Sequence, residues 1–94
     1  MDELYQLVMD MKRPQLYVGE RSLALMFHFL NGYVFCIRKN EPLFGEWLFR
    51  DFRLFLAAKF EDTRTFNWLY LIQAHCPQGD DEIDFFYDCL DEFL

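Results

Sequence analysis

Helical periodicity of the apolar residues constrains the fold of this 94-residue chain more than any other feature. Apolar side chains return every three or four residues in successive segments, the spacing that places them on one face of a helix. Prolines interrupt the pattern at Pro14, Pro42 and Pro77, because proline lacks an amide donor and disfavours helix in the residue before it. The pattern predicts an all-α fold, a compact bundle of about five helices. A chain of this length supplies one core, so we expect a single helical domain over residues 1–94.

The first two helices are predicted on either side of Pro14. One carries the apolar face that begins at Leu4, and a connector then runs from Pro14 to Gly19, a residue free to adopt positive φ. The second helix is predicted over residues 22–37, with Ser22 as its N-cap.

Residues 22–37 carry no charge, which raises the question of a membrane span. At about 1.5 Å per residue the segment extends roughly 24 Å, short of the ~30 Å hydrocarbon core of a bilayer. We therefore interpret it as a buried helix of a soluble protein, with Gly32 marking a place where two helices pack closely.

Three more helices are predicted after Pro42. The third covers residues 43–60, and the fourth starts at a Thr65 cap. A strand over residues 68–72 is the alternative, because aromatic residues favour strands. The last helix follows a cap at Asp80, and its inner face is apolar: Ile83, Phe86, Tyr87, Leu90, Phe93 and Leu94.

The formal charge of −7 comes from the end of the chain. Seven acids occupy the last fifteen residues, with no Lys or Arg after Gly79, whereas residues 1–79 contain nine acids and nine Lys or Arg. A field of one sign steers association with a partner of opposite charge and does little to specify a fold. The distribution indicates a docking surface for something basic.

Four of these acids share the outer face of the last helix at 100° per residue: Asp84, Asp88, Asp91 and Glu92. Phe85 points towards the same face, where it is poorly placed for the core. An aromatic ring surrounded by carboxylates is typical of an interface anchor with a charged rim. The sequence therefore predicts a partner-binding surface from these five residues, and the alternative is an acidic face that only aids solubility.

No catalytic, metal or cofactor site is predicted. The three cysteines form no C-x-x-C pair, the two histidines are far apart, and the acidic run lacks a calcium-loop pattern. We expect Cys36, Cys76 and Cys89 to be buried thiols in a reducing cytosol, with an enzyme that uses a cysteine thiolate as a remote alternative. Basic pairs such as Lys12-Arg13 are isolated, so direct nucleic-acid binding is not expected.

Several short motifs along the chain form one pattern. The N-terminal ones are Arg13-Pro14-x-x-Tyr17-x-Gly19-x-x-Ser22-Leu23 and Phe29-Leu30-Asn31-Gly32-Tyr33, and they are followed by Trp47-Leu48, Trp68 with Ile72, and the acidic Leu90-Asp-Glu-Phe-Leu94 end. The pattern resembles that of the small immunity proteins found in bacterial polymorphic toxin and contact-dependent growth inhibition systems, with Gln15-Leu16 where Gly-Met is expected. The resemblance implies a cytoplasmic protein without catalytic activity that neutralises a toxin by tight binding.

The resemblance and the charge distribution lead to the same functional prediction. The resemblance implies a cognate toxin domain, often a nuclease, that binds phosphates and is commonly basic, so an acidic helix is suited to it. The leading hypothesis is an immunity protein that inhibits such a domain by direct contact, with no membrane or nucleic-acid partner. The alternative is an acidic nucleic-acid mimic that blocks a basic DNA- or RNA-binding protein.

Overall fold

The structure is a computed structural model that describes residues 2–94. The prediction of an all-α fold is confirmed, with six α-helices, one π-helical segment and no strand among residues 2–94. The chain divides into two compact units, one that ends at Glu46 and one of Trp47–Leu94. Whether they form the single domain expected from the sequence stays a prediction. The first unit contains α1 (Leu4–Asp10), α2 (Gln15–Val18) and α3 (Leu23–Ile37), and the second contains the π-helix (Trp47–Phe52), α4 (Arg53–Lys59), α5 (Trp68–His75) and α6 (Glu82–Phe93).

The start of α3 is fixed by the residues expected from the sequence. The Ser22 hydroxyl accepts a hydrogen bond from the Leu25 amide at 3.2 Å, which confirms the N-cap. Gly19 has a φ of +88°, the positive value expected of it. The connector prediction was incomplete, because α2 forms one short helical turn between Pro14 and Gly19.

Close backbone packing occurs at Gly45 and not at Gly32. A Cβ on Gly32 would meet nothing within 4 Å, so the prediction of a close helix contact there was wrong. A Cβ on Gly45 would lie 2.9 Å from Val34 Cγ2, and the φ of Gly45 is +75°. The Gly45 amide donates to Asp2 Oδ2 at 2.6 Å. This turn, which only glycine adopts readily, is the reason that the third helix starts after residue 45 and not at Leu43.

The core of the second unit is an aromatic cluster. Trp68 is fully buried, and its ring centroid lies 4.8 Å from that of Phe86 and 6.4 Å from that of Phe52. The Phe52 and Phe86 rings meet edge to face at 5.7 Å, the geometry that aromatic quadrupoles favour. Phe52 ends the π-helix that Trp47 begins, and both residues are buried. The i→i+5 hydrogen bonds of a π-helix make each turn wider than in an α-helix. The wider turn brings Trp47 and Phe52 to the same side of the segment.

The caps of the last two helices lie later in the chain than predicted. The side chain of Asn67, and not of Thr65, accepts a hydrogen bond from the Tyr70 amide at 3.0 Å and starts α5. That helix also excludes the alternative of a strand over residues 68–72. Asp81, and not Asp80, caps α6. Leu94 lies beyond the last helical residue and is 48% exposed, so it was wrongly assigned to the inner face.

Candidate partner-binding surface on the last helix

The cap and the buried face of α6 together orient its acids. Asp81 Oδ1 accepts hydrogen bonds from the amides of Ile83 at 2.9 Å and of Asp84 at 3.0 Å. These bonds satisfy two of the amides that a helix start leaves without a partner. The helix then buries one apolar side: Ile83, Phe86, Tyr87, Cys89 and Leu90. Residues on the opposite side are held outward because the apolar side is fixed.

Four carboxylates occupy that outward side, and we call them the acidic face: Asp84, Asp88, Asp91 and Glu92. All four residues are exposed, and at 100° per residue they fall within an arc of about 100°. Asp88 and Asp91 make no hydrogen bond or ion pair with any side chain of the second unit. Their charges are therefore not neutralised by neighbours in that unit.

Glu92 has a cation beside it. Lys59, in the last turn of α4, places its Nζ 2.7 Å from Glu92 Oε2. The hydrogen bond to Glu92 raises the pKa of Lys59 above its ordinary value. Thirty-three positions separate these residues, and nothing in the local pattern indicates the pair. The charge of Glu92 is thus already paired within its unit.

Phe85 lies at the edge of the acidic face as part of a stack of rings. Its ring packs on Phe60 at a centroid distance of 6.0 Å and an interplanar angle of 22°. Phe60 in turn stacks on the His75 imidazole at 4.3 Å and 13°. Phe85 is consequently half-buried, and one part of the ring remains accessible. The stack holds this ring in place, a feature that the sequence did not predict.

A buried carboxylate lies under the far end of the stack. Asp62, only 8% exposed, accepts from Arg64 Nε at 2.9 Å through Oδ1, and its Oδ2 lies 2.6 Å from an Arg64 terminal nitrogen and 2.8 Å from His75 Nε2. The hydrogen bonds from Arg64, followed by the one from His75, hold the pKa of Asp62 well below its usual range. The chain therefore keeps a buried, ionised carboxylate that fixes the position of His75. Nothing in the local sequence pattern singles out Asp62 for this role.

The cysteines differ from the expectation that all three are buried. Cys36 is exposed, Cys76 is half-buried and Cys89 is buried. Burial raises the pKa of the Cys89 thiol to about 11, and burial followed by nearby carboxylates also raises the pKa of Cys76. Both thiols are therefore protonated at neutral pH, which makes them weak nucleophiles.

No group of three His, Cys, Asp or Glu side chains within residues 2–94 has the arrangement that holds a metal ion. Across the same residues, each helix is too short or too polar to cross a bilayer. No protein-family model matches the chain, and comparison with curated proteins and with solved structures gave no match either.

Proposed function

We propose that this chain is an immunity protein that binds and neutralises a cognate toxin domain in the cytosol, without catalytic activity of its own. The toxin domain is basic, as a nuclease that binds phosphates would be, and docks on the acidic face of α6. The observation that carries the proposal is that Asp88 and Asp91 are exposed and unpaired within their unit. The resemblance of the N-terminal motifs to immunity proteins supports the same conclusion.

The positions of Asp88 and Asp91 along α6 favour a role in binding over a role in stability. Asp91 lies in the last turn, where the helix dipole favours a cation by about 0.3–1 kcal/mol, and it lacks the ion pair with Lys59 that Glu92 makes. Asp84 and Asp88 are like charges at i,i+4, which costs roughly 0.2–0.5 kcal/mol. A helix selected for stability would carry Lys or Arg at some of these positions. A basic partner offsets these costs in the complex.

Phe85 supplies the apolar part of the proposed interface. Its ring is already held by Phe60, so little side-chain freedom is lost when a partner covers it. Aromatic residues near the centre of an interface, surrounded by contacts that exclude water once the complex forms, are the ones that contribute most to binding energy. We assign Phe85 as the anchor and the acidic face as the rim.

The partner can be identified by capture from the cells that make the protein. The tagged chain is immobilised, exposed to lysate and washed at about 0.5 M salt, where exposed charge pairs are strongly screened. One stoichiometric partner, a large secreted protein or its C-terminal fragment, is the expected result. Several unrelated basic proteins that leave as salt rises would instead identify a nucleic-acid mimic and overturn the immunity proposal.

Charge reversal then tests the acidic face. In the variant D88K/D91K we expect association with the captured toxin domain to slow at least about tenfold, since the two new Lys offset the two acids that remain on the acidic face and remove its steering field. The thermal midpoint of the free variant should stay equal or rise, because the new cations suit the end of α6. Stopped-flow association and thermal unfolding measure the two effects separately.

The matched control carries the same change in net charge on the other unit. The variant D10K/E20K reverses two exposed acids outside α6 and should keep most of the wild-type association rate. Equal slowing in the two variants would show that only net charge matters, and wild-type kinetics in D88K/D91K would remove α6 from the interface.

A further inference from the structure

The outer face of α3 carries no Asp, Glu, Lys or Arg although it is exposed, and its exposed polar residues are His28 and Asn31. Leu25, Phe29 and Phe35 are 37%, 38% and 68% exposed, and no Asp, Glu, Lys or Arg occurs between Arg21 and Arg38. A surface helix ordinarily carries charged and polar residues along its outer side. Contiguous exposed apolar surface of this kind marks an interaction site. The inner side of α3 is a separate face, formed by the buried residues of the helix: Leu23, Met26, Phe27, Leu30 and Val34.

Four residues along this outer face have the spacing of a helix-pairing seam. Leu25, Phe29, Gly32 and Cys36 follow one another at intervals of four, three and four, and all are exposed. We call them the α3 seam. Alternation of three and four places residues in a single line that a second helix can follow, as in coiled coils.

The α3 seam is complementary to itself when two copies run antiparallel. A twofold axis between Phe29 and Gly32 sets Leu25 opposite Cys36 of a second copy, and Phe29 opposite Gly32 of that copy. A Cβ at Gly32 would meet nothing within 4 Å, so open space lies above the bare backbone there. The Phe29 ring of the second copy has the size to occupy this space, as a knob enters a hole. Each large residue is thus paired with a small one in the opposite copy.

We propose that a second copy of this chain docks on the α3 seam in antiparallel orientation. An isologous contact of this type uses the same patch on both subunits, as twofold dimers require. Charge allows the approach, because the unit that contains α3 has six acids and five Lys or Arg and the face itself has none. Antiparallel helices also align their dipoles favourably.

The available area indicates a reversible dimer. A complete aromatic side chain presents about 200 Å², so the exposed fractions along the outer face amount to roughly 400 Å² per copy and about 800 Å² for the pair. Stable complexes usually bury about 1,200–2,000 Å². We therefore expect dimers that form at high micromolar concentration and dissociate on dilution.

Sedimentation and disulfide cross-linking test the partner and the register together. The weight-average mass should rise from that of the 11.5 kDa monomer towards twice that value as concentration rises. In the variant Leu25→Cys, mild oxidation with oxidised glutathione should yield a covalent dimer that joins residue 25 of one copy to Cys36 of the other. Peptide mapping by mass spectrometry identifies the link.

Three results of this experiment overturn the proposal. The first is a mass that stays monomeric up to about 1 mM, above the concentration expected for a contact of this area. The second is equal cross-linking in Asn31→Cys, which places the thiol on the same helix about 120° from the seam. The third is a preference for Cys36–Cys36 links, which a parallel pair would give.

A substitution that should leave the fold of the monomer intact provides a second test of the dimer. Gly32→Gln introduces a helix-forming residue into open space, so the fold should be kept and the thermal midpoint should rise. In the dimer the new side chain meets the Phe29 ring, and we expect the dissociation constant to increase at least tenfold. A folded Gly32→Gln variant that dimerises as the wild type does would refute the antiparallel seam.

Discussion

Asp62 shows how a single residue can organise a neighbourhood that the local sequence does not reveal. It lies in a polar loop, yet its carboxylate is buried and receives hydrogen bonds from Arg64 and His75. The ring of His75 stacks on the ring of Phe60, and Phe60 stacks in turn on Phe85. The position of the proposed anchor ring therefore depends on a carboxylate that lies two rings away from it.

The depressed pKa of Asp62 predicts a specific loss of stability in acid. An unfolded Asp titrates near pH ~3.9, and the folded group titrates far below it. The contribution of Asp62 is complete above about pH 4 and is lost as pH falls towards the folded pKa, because the unfolded chain takes up the proton first. Between about pH 4.5 and 2.5 we expect the free energy of unfolding to fall more steeply for wild type than for Asp62→Asn, measured by urea denaturation.

Asp51→Asn is the matched control for that titration. Asp51 also pairs with an arginine, Arg50 at 2.8 Å, but both side chains are largely exposed. Exposed ion pairs contribute little to stability. In this variant the free energy of unfolding should therefore fall with pH as steeply as in the wild type. A wild-type slope in Asp62→Asn would show that the buried carboxylate is not responsible.

At the scale of the element, the caps of α6 offer a comparison between adjacent residues. Asp81 accepts two amide hydrogen bonds at the start of the helix, whereas Asp80 precedes the cap. Asp81→Ala should lower the free energy of unfolding by about 1 kcal/mol, within the 0.5–2 kcal/mol range for lost caps. Asp80→Ala should change it by much less. Chemical denaturation of both variants checks the difference, and equal effects would contradict the assignment of the cap.

The elements were predictable to the extent that periodicity and capping chemistry determine them. The Ser22 cap and the course of α3 followed from the sequence, since one local signal and one long apolar stripe agree. The start of the third helix did not, because the positive φ of Gly45 depends on packing against Val34 and Leu4. Where two capping residues lie close together, as Asp80 and Asp81 do, propensity alone does not choose between them.

At the scale of the whole molecule, charge is distributed unevenly between the two units. The unit that ends at Glu46 has six acids and five Lys or Arg, and the unit that begins at Trp47 has ten acids and four. The acidic face could be predicted because a helical period is local. The Lys59–Glu92 pair and the Phe85–Phe60 stack could not, since their members are 33 and 25 positions apart.

This asymmetry predicts different salt responses for the two proposed contacts. Association with the toxin domain should slow strongly between about 0.05 and 0.5 M salt, because the Debye length falls from roughly 14 Å to 4 Å over that range. Dimerisation through the uncharged α3 seam should stay constant or strengthen, since it depends on apolar burial. Stopped-flow and sedimentation series in sodium chloride measure the two responses. Parallel loss of both would contradict the assignment of separate contacts.

Both tryptophans belong to the same unit, and this gives the protein an optical asymmetry. Trp68 is fully buried among Phe52 and Phe86, and Trp47 is 8% exposed, whereas the chain up to Glu46 contains no indole. Tryptophan emission therefore monitors only the part of the chain after residue 46, while far-ultraviolet circular dichroism monitors the helices of both units. Following one unfolding reaction with both signals reveals, without a label, whether the two units unfold in one step.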